Sequence, residues 1–176
     1  LAEVLEDIPE RVADAGVDVD ALRFLSRAES EYEANWKICT ENFLECYHCA
    51  VAHPGFSAAM DVSPEAYTLD IGTLRLSQVS PPRPEPRASY DLSGEVEMGQ
   101  FHLLFPGTVV NIMPGRPNIS IGPIVPLAPE RTYRFLDYYV AHDAGETWIE
   151  EMIAFDAQVG AEDRVLVERV QAGVRS

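Results

Sequence analysis

The sequence predicts an α+β domain in which a curved antiparallel sheet packs on helices. Three observations carry this. Between residues 66 and 142, short segments of alternating apolar and polar residues are bounded by Pro and Gly, as strands are. Residues 144–174 carry an apolar stripe at helical spacing. The elements follow the order helix, strand, helix, several strands, long helix, which suits an α+β fold.

Taken in order, residues 2–15 suit a short amphipathic helix with Gly16 as its stop. Residues 23–35 alternate loosely and predict a strand. From Trp36 to about Cys49 the period becomes helical. Trp36, Cys39, Phe43, Cys46 and Ala50 make one apolar face. His53-Pro54-Gly55 ends that helix, because a residue before proline is pushed out of the α region. "AYTLDIGTLRLSQVS" is strand material, and the Pro-rich residues 80–95 predict a mobile surface loop. Three strands follow: "GQFHLLFPGTVVNIM", "NISIGPIVPLA" and "RTYRFLDYYVAH". In the final helix Trp148, Met152, Phe155, Val159, Leu166 and Val170 form the expected buried stripe.

Composition narrows the class. The 176 residues suit one domain, and 47% hydrophobic with 24% charged residues is ordinary for a globular fold. No apolar run approaches the roughly 18 residues of a membrane-spanning helix. The acidic start "LAEVLEDIPERV" lacks the basic and apolar regions of a secretory signal. A net charge of −16 repels phosphate backbones and argues against nucleic-acid binding. Cys39, Cys46 and Cys49 are odd in number and close together. They predict no disulfide framework and a reducing, cytoplasmic setting.

The stretch "ENFLECYHCAVAHPGF" raises the question of a metal site. Cys46 and Cys49 form a lone C-x-x-C inside the expected helix. With no second pair for a structural zinc site, they read as small buried hydrophobes. His48 and His53 are five residues apart, about 140° on a regular helix, so two helical rings would diverge. Pro54 takes His53 out of helical geometry and lets it turn back toward His48. Asn42, Glu45 and His48 are spaced by three and would line one polar stripe, with a carboxylate and an amide beside the first histidine. A third ligand would be a carboxylate on an otherwise buried face. Asp163 fits, and Asp156, two turns earlier on nearly the same face, is its rival. Glu162 and Glu168 point further round and read as solvated. Two His and one Asp form the facial triad of non-haem Fe(II) oxygenases, which leaves positions open for O₂.

The stretch "NWKICTENFLECYHCAVAHPGF" resembles the catalytic-domain signature of the Rieske non-haem iron oxygenases, the ring-hydroxylating oxygenase α-subunit family. The matching residues are Asn35-Trp36-Lys37, Glu41-Asn42, Glu45, Tyr47-His48 and His53-Pro54, and "AEDRVLVERVQAGV" matches the third-ligand helix through Asp163. The resemblance implies a helix-grip fold, a curved antiparallel sheet around a long C-terminal helix. It implies Fe(II) on His48, His53 and Asp163, with Asn42 near the iron. It also implies that residues 1–176 are the catalytic domain. The family's N-terminal Rieske domain, with its C-x-H…C-x-x-H ligands and 2Fe–2S cluster, is not matched in this chain.

Glu45 stands where many aromatic dioxygenases have Asp, and "ENFLECYHC" is more like the choline, carnitine and betaine monooxygenases. The resemblance then implies O₂-dependent hydroxylation or N-demethylation of a quaternary ammonium compound. Electrons would come from a ferredoxin or flavin reductase, and in a homotrimer Glu45 would bridge from a neighbouring subunit's cluster. Trp148, Tyr133, Tyr138, Tyr139 and Phe105 are candidates to line a pocket for a cation. Three other readings compete: an aromatic-ring dihydroxylating dioxygenase, a metal-free helix-grip ligand-binding domain, and a zinc hydrolase with Glu45 as base.

Overall fold

A computed structural model describes residues 2–176. Strands β1 (Leu22–Tyr32), β2 (Thr68–Ile71), β3 (Arg75–Ser80), β4 (Gly99–Leu104), β5 (Thr108–Ile112), β6 (Asn118–Ala128) and β7 (Arg131–Ala141) form one antiparallel sheet. Their order across it is β1-β7-β6-β5-β4-β3-β2. The helices are α1 (Ala2–Leu5), α2 (Ile8–Asp14), α3 (Trp36–Phe43), α4 (Cys49–Ala52), α5 (Pro54–Ala59) and α6 (Glu146–Val174). The expected α+β architecture, a curved antiparallel sheet with a long C-terminal helix, is present. Among the described residues no helix is long and apolar enough to cross a membrane.

The two faces of the sheet separate by the period of two that strands impose. On β7, Thr132, Leu136, Tyr138 and Val140 are buried on the face that holds α6 and α3. Tyr133 and Tyr139 alternate onto the outer face, where Tyr133 donates to Glu29 at 2.6 Å and Tyr139 meets Phe24 edge-on. On that outer face, toward the β4–β5 side, α2 sets Ile8 and Val12 against Leu104 and Ile112.

Several elements depart from expectation for identifiable reasons. The first helix is split at Glu6, whose φ is 51° and whose carboxylate accepts from Leu74 N at 2.5 Å. Gly16 does stop the helix, with φ 84°. The helix expected to reach Cys49 ends at Phe43, because Gln78 Nε2 donates to the Phe43 carbonyl at 2.5 Å. "GQFHLLFPGTVVNIM" is a hairpin, β4 and β5, turned at residues 105–107, where Pro106 has no N–H for a ladder. "AYTLDIGTLRLSQVS" likewise forms two strands, β2 and β3.

Residues 80–95 are held rather than free. Arg83 N and Arg87 N donate to Ala59 and Ala58 carbonyls at 2.9 Å, and buried Tyr90 packs on Trp148 and Phe155 of α6. On α6 itself Met152 and Phe155 are buried as expected, but Val170 is exposed. Ile149, Val167 and Gln171 are buried instead. The inward line therefore runs 149, 152, 156, 160, 163, 167, 171, the steps of three and four that a 3.6-residue period requires.

One buried histidine belongs to this framework. His102 on β4 is fully buried between Ser77 Oγ at 2.8 Å and Gln100 Oε1 at 3.1 Å. Burial, reinforced by Arg11 and Arg75, lowers its pKa from 6.5 to about 4. The unfolded chain therefore takes up a proton that the folded one refuses. Its contribution to stability is complete above pH 6.5 and is lost as pH falls toward 4. The full effect is about 3 kcal/mol, of which about 2 kcal/mol is gone by pH 5. His102→Gln is expected to flatten this slope. Urea denaturation of both proteins at pH 7.5 and pH 5 measures it, and a pH-independent difference between them would refute the assignment.

Candidate metal centre

The site is assembled where α3 gives way to α4 and α5, against the middle of α6. Asn35 caps α3, its side chain accepting from Lys37 N at 2.9 Å, while its own N–H donates to Gln171 Oε1 at 2.8 Å on α6. Asn42 lies on the last turn of α3. Glu45 and His48 lie in the irregular stretch after it, so the expected helical stripe through Asn42, Glu45 and His48 does not exist. The three side chains still gather, because the chain folds back at this break. His53, before Pro54, has φ −119° and ψ 71° and leaves helical geometry as expected.

The two imidazole rings meet edge-on with centroids 5.1 Å apart. Asp163 Oδ1 lies 3.1 Å from His53 Nε2 and 3.7 Å from His48 Nε2, and Asn42 Nδ2 donates to the same oxygen at 2.7 Å. One ligand atom from each of His48, His53 and Asp163 lies within 4.8 Å of the others. Each ring also has a carboxylate behind it. Glu45 Oε1 is 2.7 Å from His48 Nδ1, and Glu162 Oε2 is 2.9 Å from His53 Nδ1. A carboxylate that accepts a hydrogen bond from Nδ1–H fixes the tautomer and leaves the Nε2 lone pair for a metal. Both Nε2 atoms are on the Asp163 side. Burial acts to lower the His53 pKa, but the Asp163 and Glu162 carboxylates outweigh it and hold the ring above the ordinary imidazole value.

Glu162 thus corrects the expectation that it is solvated. His53 sits at the flank of α6, where two successive side chains can both reach its ring. Helical phase alone gives no sign of this. Glu168, the other acid read as solvated, is partly buried and accepts from Glu33 N at 3.1 Å. Asp156, the rival third ligand, is not in the cluster. Its carboxylate accepts from the Tyr138 hydroxyl, and burial raises its pKa while Tyr138 and Arg134 pull against that rise.

The cysteines require a correction too. Cys46 and Cys49 are joined in a disulfide, with Cα atoms 5.0 Å apart, rather than standing as two separate thiols. That separation lies within the range a disulfide spans. Cys39 is free.

A cavity of about 410 Å³ opens between α6, α3 and the inner face of the sheet, and the three metal-ligating candidates form part of its wall. That is ample for a small-molecule site. Of the expected pocket aromatics only Tyr138 lines it. Phe105 is exposed at a hairpin tip, Tyr133 and Tyr139 face outward, and Trp148 donates to the Asp91 carbonyl at 2.8 Å. Tyr32, Phe43, Phe56, Tyr67 and Phe101 take that place. Inward register on strands not yet aligned was the missing signal.

The family model for the ring hydroxylating alpha subunit, catalytic domain, matches residues 19–176. A carnitine monooxygenase oxygenase subunit of Acinetobacter pittii is 30% identical over 181 residues, covering 98% of this chain and 46% of that protein. A chloroplastic choline monooxygenase of Atriplex hortensis is 28% identical, covering the whole chain and 38% of its own length. A crystal structure of the quaternary ammonium Rieske monooxygenase CntA with an inhibitor superposes with TM-score 0.84 at 28% identity, over 99% of this chain and 47% of that one. Naphthalene 1,2-dioxygenase from Rhodococcus, at TM-score 0.72 and 14% identity, shares the fold. The chain thus spans less than half the length of these relatives. Its matched residues, helix-grip fold and gathered His48, His53 and Asp163 agree: the chain belongs to the ring-hydroxylating oxygenase α-subunit family, as a catalytic domain of that family.

Proposed function

We propose that this domain is the oxygen-using half of a Rieske-type monooxygenase that hydroxylates a quaternary ammonium compound. The observation that carries the reading is the convergence of His48, His53 and Asp163, with a carboxylate behind each imidazole. The donor set, two imidazole nitrogens and one carboxylate oxygen, fits Fe(II) with free coordination positions. When bound, the iron supplies activation of O₂ for insertion of one oxygen atom into a C–H bond.

The chain's own residues prepare that chemistry. Asn42 orients Asp163, Glu45 orients His48, and Glu162 orients His53. Phe43, Phe56 and Phe101 line the cavity with apolar surface that keeps water from the reacting centre. The carnitine and choline monooxygenase relatives support a quaternary ammonium substrate, and Glu45 in place of Asp agrees with it. Aromatic dihydroxylation is less well supported, since naphthalene dioxygenase is a neighbour by fold alone. A metal-free carrier has no use for two carboxylate-anchored imidazoles aimed at a third acid. The electrons would come through a Rieske domain outside this chain, served by a ferredoxin or flavin reductase. Glu45, one-third exposed at the rim of the site, would receive them across the interface of a homotrimer and pass them to the iron through His48.

Two measurements test this on the full-length enzyme. After anaerobic loading with Fe(II), Asp163→Ala is expected to lose its iron, while Asp156→Asn keeps it. Iron retained by Asp163→Ala would refute the ligand set, and a preference for zinc would favour a hydrolase. Glu45→Gln is expected to keep iron and to slow single-turnover product formation about 10–100-fold. An unchanged rate would remove Glu45 from the electron path.

A further inference from the structure

The cavity carries a charge that the metal centre does not use. On β7 the inward register runs Thr132, Arg134, Leu136, Tyr138, and all four line the cavity. Arg134 is a guanidinium set where the neighbouring positions are apolar or uncharged. Its ladder partners, Ser30 on β1 and Ile124 on β6, offer it no carboxylate. Its Nε is buried without a hydrogen-bond partner, and Tyr32, Asp156, Asp163 and Tyr138 act on it only through space. A second orphan, Asn111 Oδ1, faces the same cavity. These are two of the four buried polar side-chain atoms left without partners among the described residues.

An arginine keeps its charge under all ordinary conditions, so it cannot escape burial by losing a proton. Leaving it without a partner is costly, and native structures complete such groups with a ligand, an ion or an ordered water. Its planar fork matches a carboxylate, with two parallel hydrogen bonds. Asp156 does not answer the need, because its carboxylate is engaged by Tyr138. The relatives act on quaternary ammonium compounds of two kinds, one with a carboxylate and one with an alcohol, so family membership does not choose between them.

We propose that Arg134 binds the carboxylate of the substrate, so that this domain takes a betaine, a quaternary ammonium compound with a carboxylate at its far end, rather than a quaternary ammonium alcohol. The inference rests on the quaternary ammonium reading given above. Seated against β7, the carboxylate leaves the rest of the molecule to cross the cavity toward His48, His53 and Asp163. The aromatic walls supply faces for the cation.

Calorimetric binding to the iron-loaded full-length enzyme tests it with four probes: γ-butyrobetaine, its methyl ester, choline, and 5,5-dimethylhexanoate, the uncharged-head isostere of γ-butyrobetaine. The unmodified enzyme is expected to bind γ-butyrobetaine about 10–100-fold more tightly than the ester or choline. Arg134→Gln is expected to erase that preference by weakening only the carboxylates, and Arg134→Lys to restore part of it. In turnover the loss should appear in KM rather than kcat.

Equal binding of acid and ester by the unmodified enzyme would overturn the proposal, and needs no variant. Equal weakening of both in Arg134→Gln would also overturn it, since that is a structural role. If the isostere binds as tightly as γ-butyrobetaine, with the same dependence on Arg134, and no quaternary ammonium compound is hydroxylated, the carboxylate site stands and the substrate reading falls.

Discussion

The Asp163 carboxylate is the contact on which the site depends. One oxygen faces both histidine Nε2 atoms and accepts from Asn42. The partners lie more than a hundred residues away in sequence, so only the docking of α6 into the concave face of the sheet can bring them together. That docking is secured at both ends of the helix. Tyr90 and Trp148 pack at its start, and Gln171 near its end accepts from Asn35 N. The same hydrogen bond sets the start of α3, and α3 delivers Asn42. A shift of α6 by one residue would rotate Asp163 by about 100° and empty the site. Helix register and metal geometry are therefore one constraint.

Much of this is legible in sequence because it follows from local rules. Pro54 dictates that His53 is not helical, and the awkward five-residue spacing then becomes useful. A charged residue on the buried stripe of α6 marks Asp163. The strands alternate because one face is packed. What stays hidden is set by contacts between distant elements. The Phe43 carbonyl is taken by Gln78 from β3, so α3 stops short of where its apolar period points. That break replaces a helical stripe with a folded-back turn. Glu162 reaches His53 only because of where the ring lies against the flank of α6.

The cavity shows the same limit from the other side. Aromatic residues can be picked from a sequence, but whether each faces in or out depends on strand register. Tyr138 faces in, whereas Tyr133 and Tyr139 face out and contact β1. Arg134 reads in sequence as one more charge on an alternating strand, between Tyr133 and Phe135. Its meaning depends on parity. It shares the inward face with Thr132, Leu136 and Tyr138, so its charge is presented to the cavity.

The protein as a whole is strongly acidic, with a net charge of −16. Its long-range field draws in the cationic head of a betaine and resists the carboxylate tail. Such a field can concentrate the molecule near the surface but cannot decide which end enters first or how deep each end comes to rest. Close contact has to do that, because screening over about 8–10 Å leaves distant charges little say inside the cavity. Arg134 on β7 can do this, since Arg164, also at the cavity wall, is exposed and stacked over the Tyr32 ring. The Arg134 guanidinium gives the anionic end a favourable place in an otherwise acidic molecule and leaves the cationic end and its neighbouring C–H bonds to lie toward the ligands. Orientation of the substrate would then follow from the placement of the Arg134 charge on β7, with no need for a shape that recognises each atom.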